Sequence, residues 1–338
     1  MNLNTEKYQK FALCKEMLET ASVVDKFDPS VVNAIKDKVK AGAPILLTGE
    51  GSSRIFPAKN AITRSLAKAS NVLALTEGAT QAMGYDLSES VVLGASNSGK
   101  TKEVIRLFNQ LKKQGHENLI GLTANAGTPL EELSNAAHVL NCGKEDAVAA
   151  TKSVVEQTLF VSHLVDALQG KQTPSLEGLS QGIQDTLTME INADLIKKAA
   201  SATTLYFAGR NDGVAEELTL KTNEITRKKS DYLEGTYAVH GIEEVMEKTD
   251  VLILINPFES EEEKIETCLK NEVGMEVIAI SSRDTRFPTI RVPENKDWQS
   301  IIDIVAGWNI LVEIGIELGI DLDKPERARK VGNEYLGE

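Results

Sequence analysis

Two stretches of this sequence hold side chains whose types and spacing can do chemistry. The first is Ser96-Asn97-Ser98-Gly99-Lys100-Thr101. It lies between an apolar run (Val91, Val92, Leu93) and apolar residues at helical spacing (Val104, Ile105, Leu107, Phe108, Leu111). A strand feeding a Ser/Gly loop that opens a helix is an anion site. The first helical amides have no intrahelical partners and sit at the positive end of the helix dipole, and hydroxyls add donors. The spacing predicts a bound phosphate. With Gly94 and Ala95 the same letters also fit G-x-x-x-x-G-K-[ST], the nucleotide-binding P-loop pattern, so this stretch alone leaves the phosphate's carrier open. The second stretch is an acidic helix face with Glu217, Lys221 and Glu224, followed by His240. Lys221 lies one turn from Glu224 on the same face, where it can orient the carboxylate or tune its pKa. Read alone, that spacing equally describes a solvated ion pair.

The elements that must position these groups follow from the rest of the chain. Its 338 residues suit two domains, and 41% apolar with 26% charged residues describes a globular protein with a sizeable core. A net charge of −13 argues against nucleic acid or an anionic membrane as partner. No apolar leader opens the chain and no uninterrupted apolar run approaches a membrane span, so a cytoplasmic location without membrane contact is expected. Cys14, Cys142 and Cys268 are isolated and no Cys/His ligand spacing is present; buried thiols, no metal and no cofactor are expected.

Residues 1–41 are helical in pattern. Strands then follow at Ile45–Thr48, Val72–Leu75, Val91–Leu93, Leu119–Leu122 and Val139–Leu140, with a long helix from Ala149 to Leu168. After the polar stretch Gly170–Ser175 and a helical lead-in from Leu179 to Ala200, strands recur at Thr204–Ala208, Val251–Leu254, Val277–Ile280 and Thr289–Val292. A last helix runs from Ile301 to Leu318. The halves look repeated: Thr76-Glu77-Gly78 with Gly84 falls opposite Leu233-Glu234-Gly235 with Gly241. The expected fold class is α/β: two pseudo-repeated, doubly wound, flavodoxin-like parallel-sheet domains, 1–172 and 173–338, with helical N-terminal and C-terminal extensions. Opposite the Ser/Thr loop the second half has Asn256-Pro257-Phe258-Glu259-Ser260, which spoils an anion cradle. A P-loop ATPase also needs an acidic strand end to hold magnesium, and none is evident, which leaves that reading remote.

The chain resembles the tandem sugar isomerase (SIS) domain family and is similar to the isomerase half of glutamine–fructose-6-phosphate aminotransferases. The residues that carry the likeness are Ser96-Asn97-Ser98-Gly99-Lys100-Thr101, Gly51-Ser52-Ser53, Val148-Ala149-Ala150-Thr151-Lys152, Gly209-Arg210-Asn211, Leu220-Lys221-Thr222-Asn223-Glu224-Ile225, His240-Gly241 and Asp323-Lys324-Pro325 ending at Lys330. The resemblance implies a sugar phosphate held by Ser96, Asn97, Ser98, Lys100 and Thr101 with Ser52 and Ser53. It implies the sugar near Gly51, Val148 and Ala150. It makes Glu224 the base, His240 the ring-opening group and Lys330 the amine at the carbonyl end, with Lys221 as partner of Glu224. Lys100, Ala150, Glu50, Arg54 and Ile242 depart from the family's usual residues, which bears on the identity of the sugar.

The chemistry implied is aldose–ketose isomerisation through an enediol, or deamination of an amino-sugar phosphate such as glucosamine 6-phosphate. The glutamine-using aminotransferase reaction would need a glutaminase domain, which these residues do not supply. The alternative of another class is a non-catalytic phosphosugar-binding regulatory protein. The resemblance also implies a homodimer or higher homo-oligomer, with the histidine loop reaching a neighbouring subunit.

Overall fold

Parallel strands covered on both faces read as unbroken apolar runs, and these runs become the central strands of two sheets. The structure is a computed structural model and describes residues 1–327 and 334–335. It contains two five-stranded parallel sheets with flanking helices. Three helices, α1 (Glu6–Gln9), α2 (Ala12–Lys26) and α3 (Val31–Lys36), precede the first sheet.

One unit gathers residues 23–144 and 152–175 with the described tail residues 334–335. Its sheet holds β1 (Ile45–Gly49), β2 (Ala74–Gly78), β3 (Val91–Ala95), β4 (Leu119–Thr123) and β5 (Ala136–Val139), in the order β2-β1-β3-β4-β5. Every residue of β1, β3 and β4 is buried. The helices are α4 (Ile55–Ala67), α5 (Ala79–Ala82), α6 (Lys102–Lys113), α7 (Pro129–Leu133) and α8 (Lys152–Leu168). α6 buries the five apolar residues its periodicity marked and forms one core cluster with Leu46, Val92, Leu119 and Leu130. α8 is buried from Lys152 through Asp166 and packs on α4.

The second unit gathers residues 1–22, 145–151 and 176–327. α9 (Leu179–Thr188) and α10 (Ala193–Ser201) lead in. Strands β6 (Thr204–Gly209), β7 (Lys229–Glu234), β8 (Val251–Ile255), β9 (Glu276–Ser281) and β10 (Thr289–Arg291) follow, in the order β10-β9-β8-β6-β7. The helices between and after them are α11 (Val214–Thr226), α12 (Glu262–Ile265) and α13 (Gln299–Glu317). α13 is apolar and long enough to cross a membrane, but 78% of its apolar window is buried inside the protein, where it packs against α9, α10 and α11. Trp298 and Trp308 are fully buried, as packing residues should be.

Several boundaries differ from the sequence expectation. The lead-in expected as one helix is two, because Asn192 accepts from the amide of Asp194 and starts α10 afresh. β2 starts at Ala74 rather than Val72, and the helix expected from Ala149 starts at Lys152. β7 was not anticipated: its sequence, KSDYLE, is polar because it is an edge strand. Cys14 and Cys142 are buried, whereas Cys268 is partly exposed.

Candidate active site

The order of the first sheet reverses between β1 and β3. Open parallel sheets take ligands outside the carboxyl ends of their strands at such a point. Gly49 of β1 is in register with Ala95 of β3, so the turn Gly51–Ser53 and the loop 96–101 leave the sheet side by side. The first turn leads into α4 and the second into α6, and neither helix has a side-chain cap at its N-terminus. Their leading amides are the unsatisfied donors that an anion completes. Ser52, Ser53, Asn97, Ser98 and Thr101 are half-buried around this point.

Internal bonds hold the loop in shape. Ser96, 1% exposed, shares a hydrogen bond of 2.7 Å with the hydroxyl of Thr101 and accepts from its amide at 3.3 Å. Ser98 Oγ accepts from the Lys100 amide at 3.2 Å. The Asn97 carbonyl accepts from the Ala124 amide and from Asn125 Nδ2. Gly99 has φ +66°, and a Cβ there would fall 2.4 Å from the Thr128 hydroxyl, so a side chain meets strain and collision together. The Lys100 side chain is exposed, whereas its carbonyl accepts from the Tyr335 amide at 2.8 Å. Glu334 bridges Thr101, and Tyr335 packs on the core cluster beneath the loop. Glu50, after β1, accepts from the Ala79 amide, and burial pushes its carboxyl above the usual range.

The second unit holds the other candidate residues. α11 lays Glu217, Lys221 and Glu224 along one face. Lys221 Nζ lies 3.4 Å from Glu217 Oε1 and 2.9 Å from Glu224 Oε2, with side-chain exposures of 1%, 0% and 23% respectively for Lys221, Glu217 and Glu224. Burial alone would drive the Lys221 pKa down, but Glu224 and then Glu217 reverse this and leave it raised, so the ammonium stays charged. Glu224 is the open member of the triad. Gly307 of α13 makes this packing possible: a Cβ there would fall 2.3 Å from Leu218, so α13 lies directly against α11.

Segment 145–151, which carries Val148 and Ala150, belongs to this unit and is pinned by carboxylates. Buried Glu145 accepts from the Thr151 amide at 2.7 Å and also faces Lys221. Buried Glu16 accepts from the amides of Asp146 and Ala147. The start of the tail is tethered too. Asp323 accepts from the amides of Ala12 and Leu13 at 2.8 and 2.9 Å, and Arg227 donates to the carbonyls of Asp321 and Lys324.

The structure thus joins Lys221 to Glu224 and brings Glu145, on the Val148–Ala150 segment, up to Lys221. It also gathers Gly51, Ser52 and Ser53 with the loop 96–101. His240 is exposed at the end of a short 3-10 turn and makes no hydrogen bond to Glu224 or Lys221 among the described residues. Lys330 lies outside the described residues. Sequence reasoning left Glu16 and Glu145 unassigned, and it named Glu217 without giving it a role. Only the helical spacing of Glu217 signalled a partner.

Residues 39–167 match the SIS domain family. The glutamine–fructose-6-phosphate aminotransferase of Aeropyrum pernix is 24% identical over 332 residues, which is 90% of this chain and 53% of that protein. The chain therefore spans about half the length of this curated relative. Among solved structures, the C-terminal domain of glucosamine-fructose-6-phosphate aminotransferase from Francisella tularensis superposes with a TM-score of 0.74 at 17% identity, covering 95% of this chain and 100% of that one. Glucosamine-6-phosphate deaminase from Thermotoga maritima gives 0.73 at 21% identity, covering 96% and 99%. Tagatose-6-phosphate ketose/aldose isomerase from Escherichia coli gives 0.74 at 15%, covering 96% and 99%. At these identities the structures establish a shared fold. The family match is confined to residues 39–167, the part of the chain that holds the first sheet and the loop 96–101.

Proposed function

We propose that this protein is a phosphosugar aldose–ketose isomerase, or a deaminase of an amino-sugar phosphate, working through an enediol. The observation that carries the proposal is the α11 triad: a buried ammonium fixed between two carboxylates, one of which opens to solvent. Lys221 occupies Glu224 Oε2, and Oε1 has no hydrogen-bond partner among the described residues. Oε1 is then the atom that takes the proton from the carbon beside the carbonyl. The electron pair left behind moves into the enediolate, and the same carboxyl returns the proton to the neighbouring carbon. With a 2-amino sugar the same proton shift makes an imine at C2, and water hydrolyses it, its oxygen becoming the ketose carbonyl as ammonia leaves.

The loop 96–101 with Ser52 and Ser53 supplies phosphate recognition, whose binding energy orients the reacting carbons. Val148, Ala150 and Gly51 border the sugar, His240 opens the ring, and Lys330 supplies a cation at the carbonyl end. The working protein is a cytoplasmic homo-oligomer in this reading. The test is turnover of hexose 6-phosphates and amino-sugar phosphates, with ketose and ammonia followed together. Glu224→Gln should lower kcat on the order of 100- to 10,000-fold, as loss of a general base does. Tight sugar-phosphate binding without turnover by the wild type would instead make the protein a phosphosugar sensor.

A further inference from the structure

The second sheet has its own reversal of order, between β6 and β8, and a ligand crevice is expected there on the same grounds. Arg210 follows β6, and Asn256 and Phe258 follow β8. Arg210 Nε donates to the Asn256 carbonyl at 2.9 Å, and its guanidinium carbon lies 3.8 Å from the centroid of the Phe258 ring. These contacts hold the guanidinium in one plane. Its two terminal nitrogens have no hydrogen bond and no carboxylate within ion-pair distance among the described residues.

The surrounding charges leave this cation incomplete. Arg283 adds a second positive charge nearby but is itself committed, at 2.5 Å to Glu262 and 2.8 Å to the Pro257 carbonyl. Asp303 of α13 shares the cluster and is 1% exposed. Its Oδ1 accepts from Gln299 Nε2 at 2.9 Å, while its buried Oδ2 has no partner. Burial pushes this carboxyl well above the usual range, which disfavours its charged form. Asp212 Oδ1 accepts from the Val214 amide at 3.2 Å, just before α11.

We propose that the carboxyl ends of β6 and β8 form an oxyanion-binding site, in which the terminal nitrogens of Arg210 grip a phosphate or carboxylate group of a small metabolite. A planar guanidinium stacked on an aromatic ring, with two parallel donors free, matches such a group in two-point contact. The site is separate from the α11 triad. Lys221 lies eight residues beyond Gly213, about 12 Å along the helix at 1.5 Å per residue.

The test is calorimetry on the full chain, with inorganic phosphate and with succinate as separate probes. The loop 96–101 is first silenced by Ser98→Ala with Thr101→Val. The silenced protein should still bind one of the two probes, and which one it binds distinguishes a phosphorylated from a carboxylate ligand. Arg210→Gln should then weaken that probe at least tenfold with the thermal midpoint unchanged. Arg210→Lys should weaken it less, since it keeps the charge and loses the fork. The proposal is overturned if neither probe binds the silenced protein, or if binding survives Arg210→Gln unchanged.

Discussion

Replacing Lys221 by methionine keeps an unbranched side chain one heavy atom shorter and removes its charge and donors. The ammonium sits 3.4 Å from Glu217 and 2.9 Å from Glu224, and Glu217 has no exposed side-chain surface. At an effective dielectric of about 20, one such pair attracts by about 5 kcal/mol. That attraction offsets a desolvation cost of several kcal/mol per buried ion. Lys221→Met removes the attraction and takes the ammonium away from the buried carboxylate of Glu217, which costs about 3–5 kcal/mol. Glu224→Gln leaves the Lys221–Glu217 pair intact and removes a partly exposed charge, so its cost should be about 1 kcal/mol. At about 2–4 °C per kcal/mol, Lys221→Met should melt roughly 10 °C below the wild type and Glu224→Gln only a few degrees below. Circular dichroism melts at neutral pH read both, and the double variant Glu217→Gln/Lys221→Met should recover part of the loss, because position 217 no longer carries a charge while Glu145 still faces the emptied site. Equal midpoints for Lys221→Met and Glu224→Gln, or no recovery in the double variant, would refute the description of these residues as one buried electrostatic unit.

Other outcomes follow from single observations. Gly99→Ala, at φ +66° and 2.4 Å from Thr128, should cost about 1–3 kcal/mol and raise KM for a sugar phosphate far more than it lowers kcat. Lys100→Ala should change sugar-phosphate KM by no more than roughly threefold, because its side chain is exposed and screened; magnesium-dependent ATP binding abolished by this change would revive the P-loop reading. Burial raises Asp212 from 3.8 to about 6, so the folded state holds this proton more tightly than the unfolded chain does. Stability from this group is therefore full below about pH 4 and is lost as pH rises through about 6, on the order of 3 kcal/mol in all. Asp212→Asn removes the titrating group at nearly the same shape and should flatten the stability profile over that window, read as the difference in thermal midpoint between variant and wild type.

The sequence made the central strands legible because β1, β3, β4 and β8 are covered on both faces and need apolar residues at every position. β7 escaped because an exposed edge strand alternates weakly and tolerates charge. In the site, the Ser/Thr loop and the Lys221–Glu224 pair were legible from local spacing. The depth of Glu217 was not, since α13, which packs against α11, comes from far along the chain. Glu16 and Glu145 were silent for a related reason. Their partners are backbone amides, which leave no signature in residue type. The pairing of Tyr335 with the Lys100 carbonyl is likewise main chain to main chain at the residue whose identity drew attention.

The short piece 145–151 has a consequence for how this gene can be divided. The chain leaves one folding unit before it, enters the other for those residues, and returns immediately after. A break within the polar stretch 170–175 looks natural on the sequence, yet it would encode no complete unit on either side. The upstream product would carry 1–22 and 145–151 away from the sheet they belong to. The downstream product would lack both Glu16 and Glu145, and with them the ties that hold the segment beside Lys221. Reconstitution should therefore require both fragments to be made together, as though the two halves had been stitched by exchange rather than joined end to end.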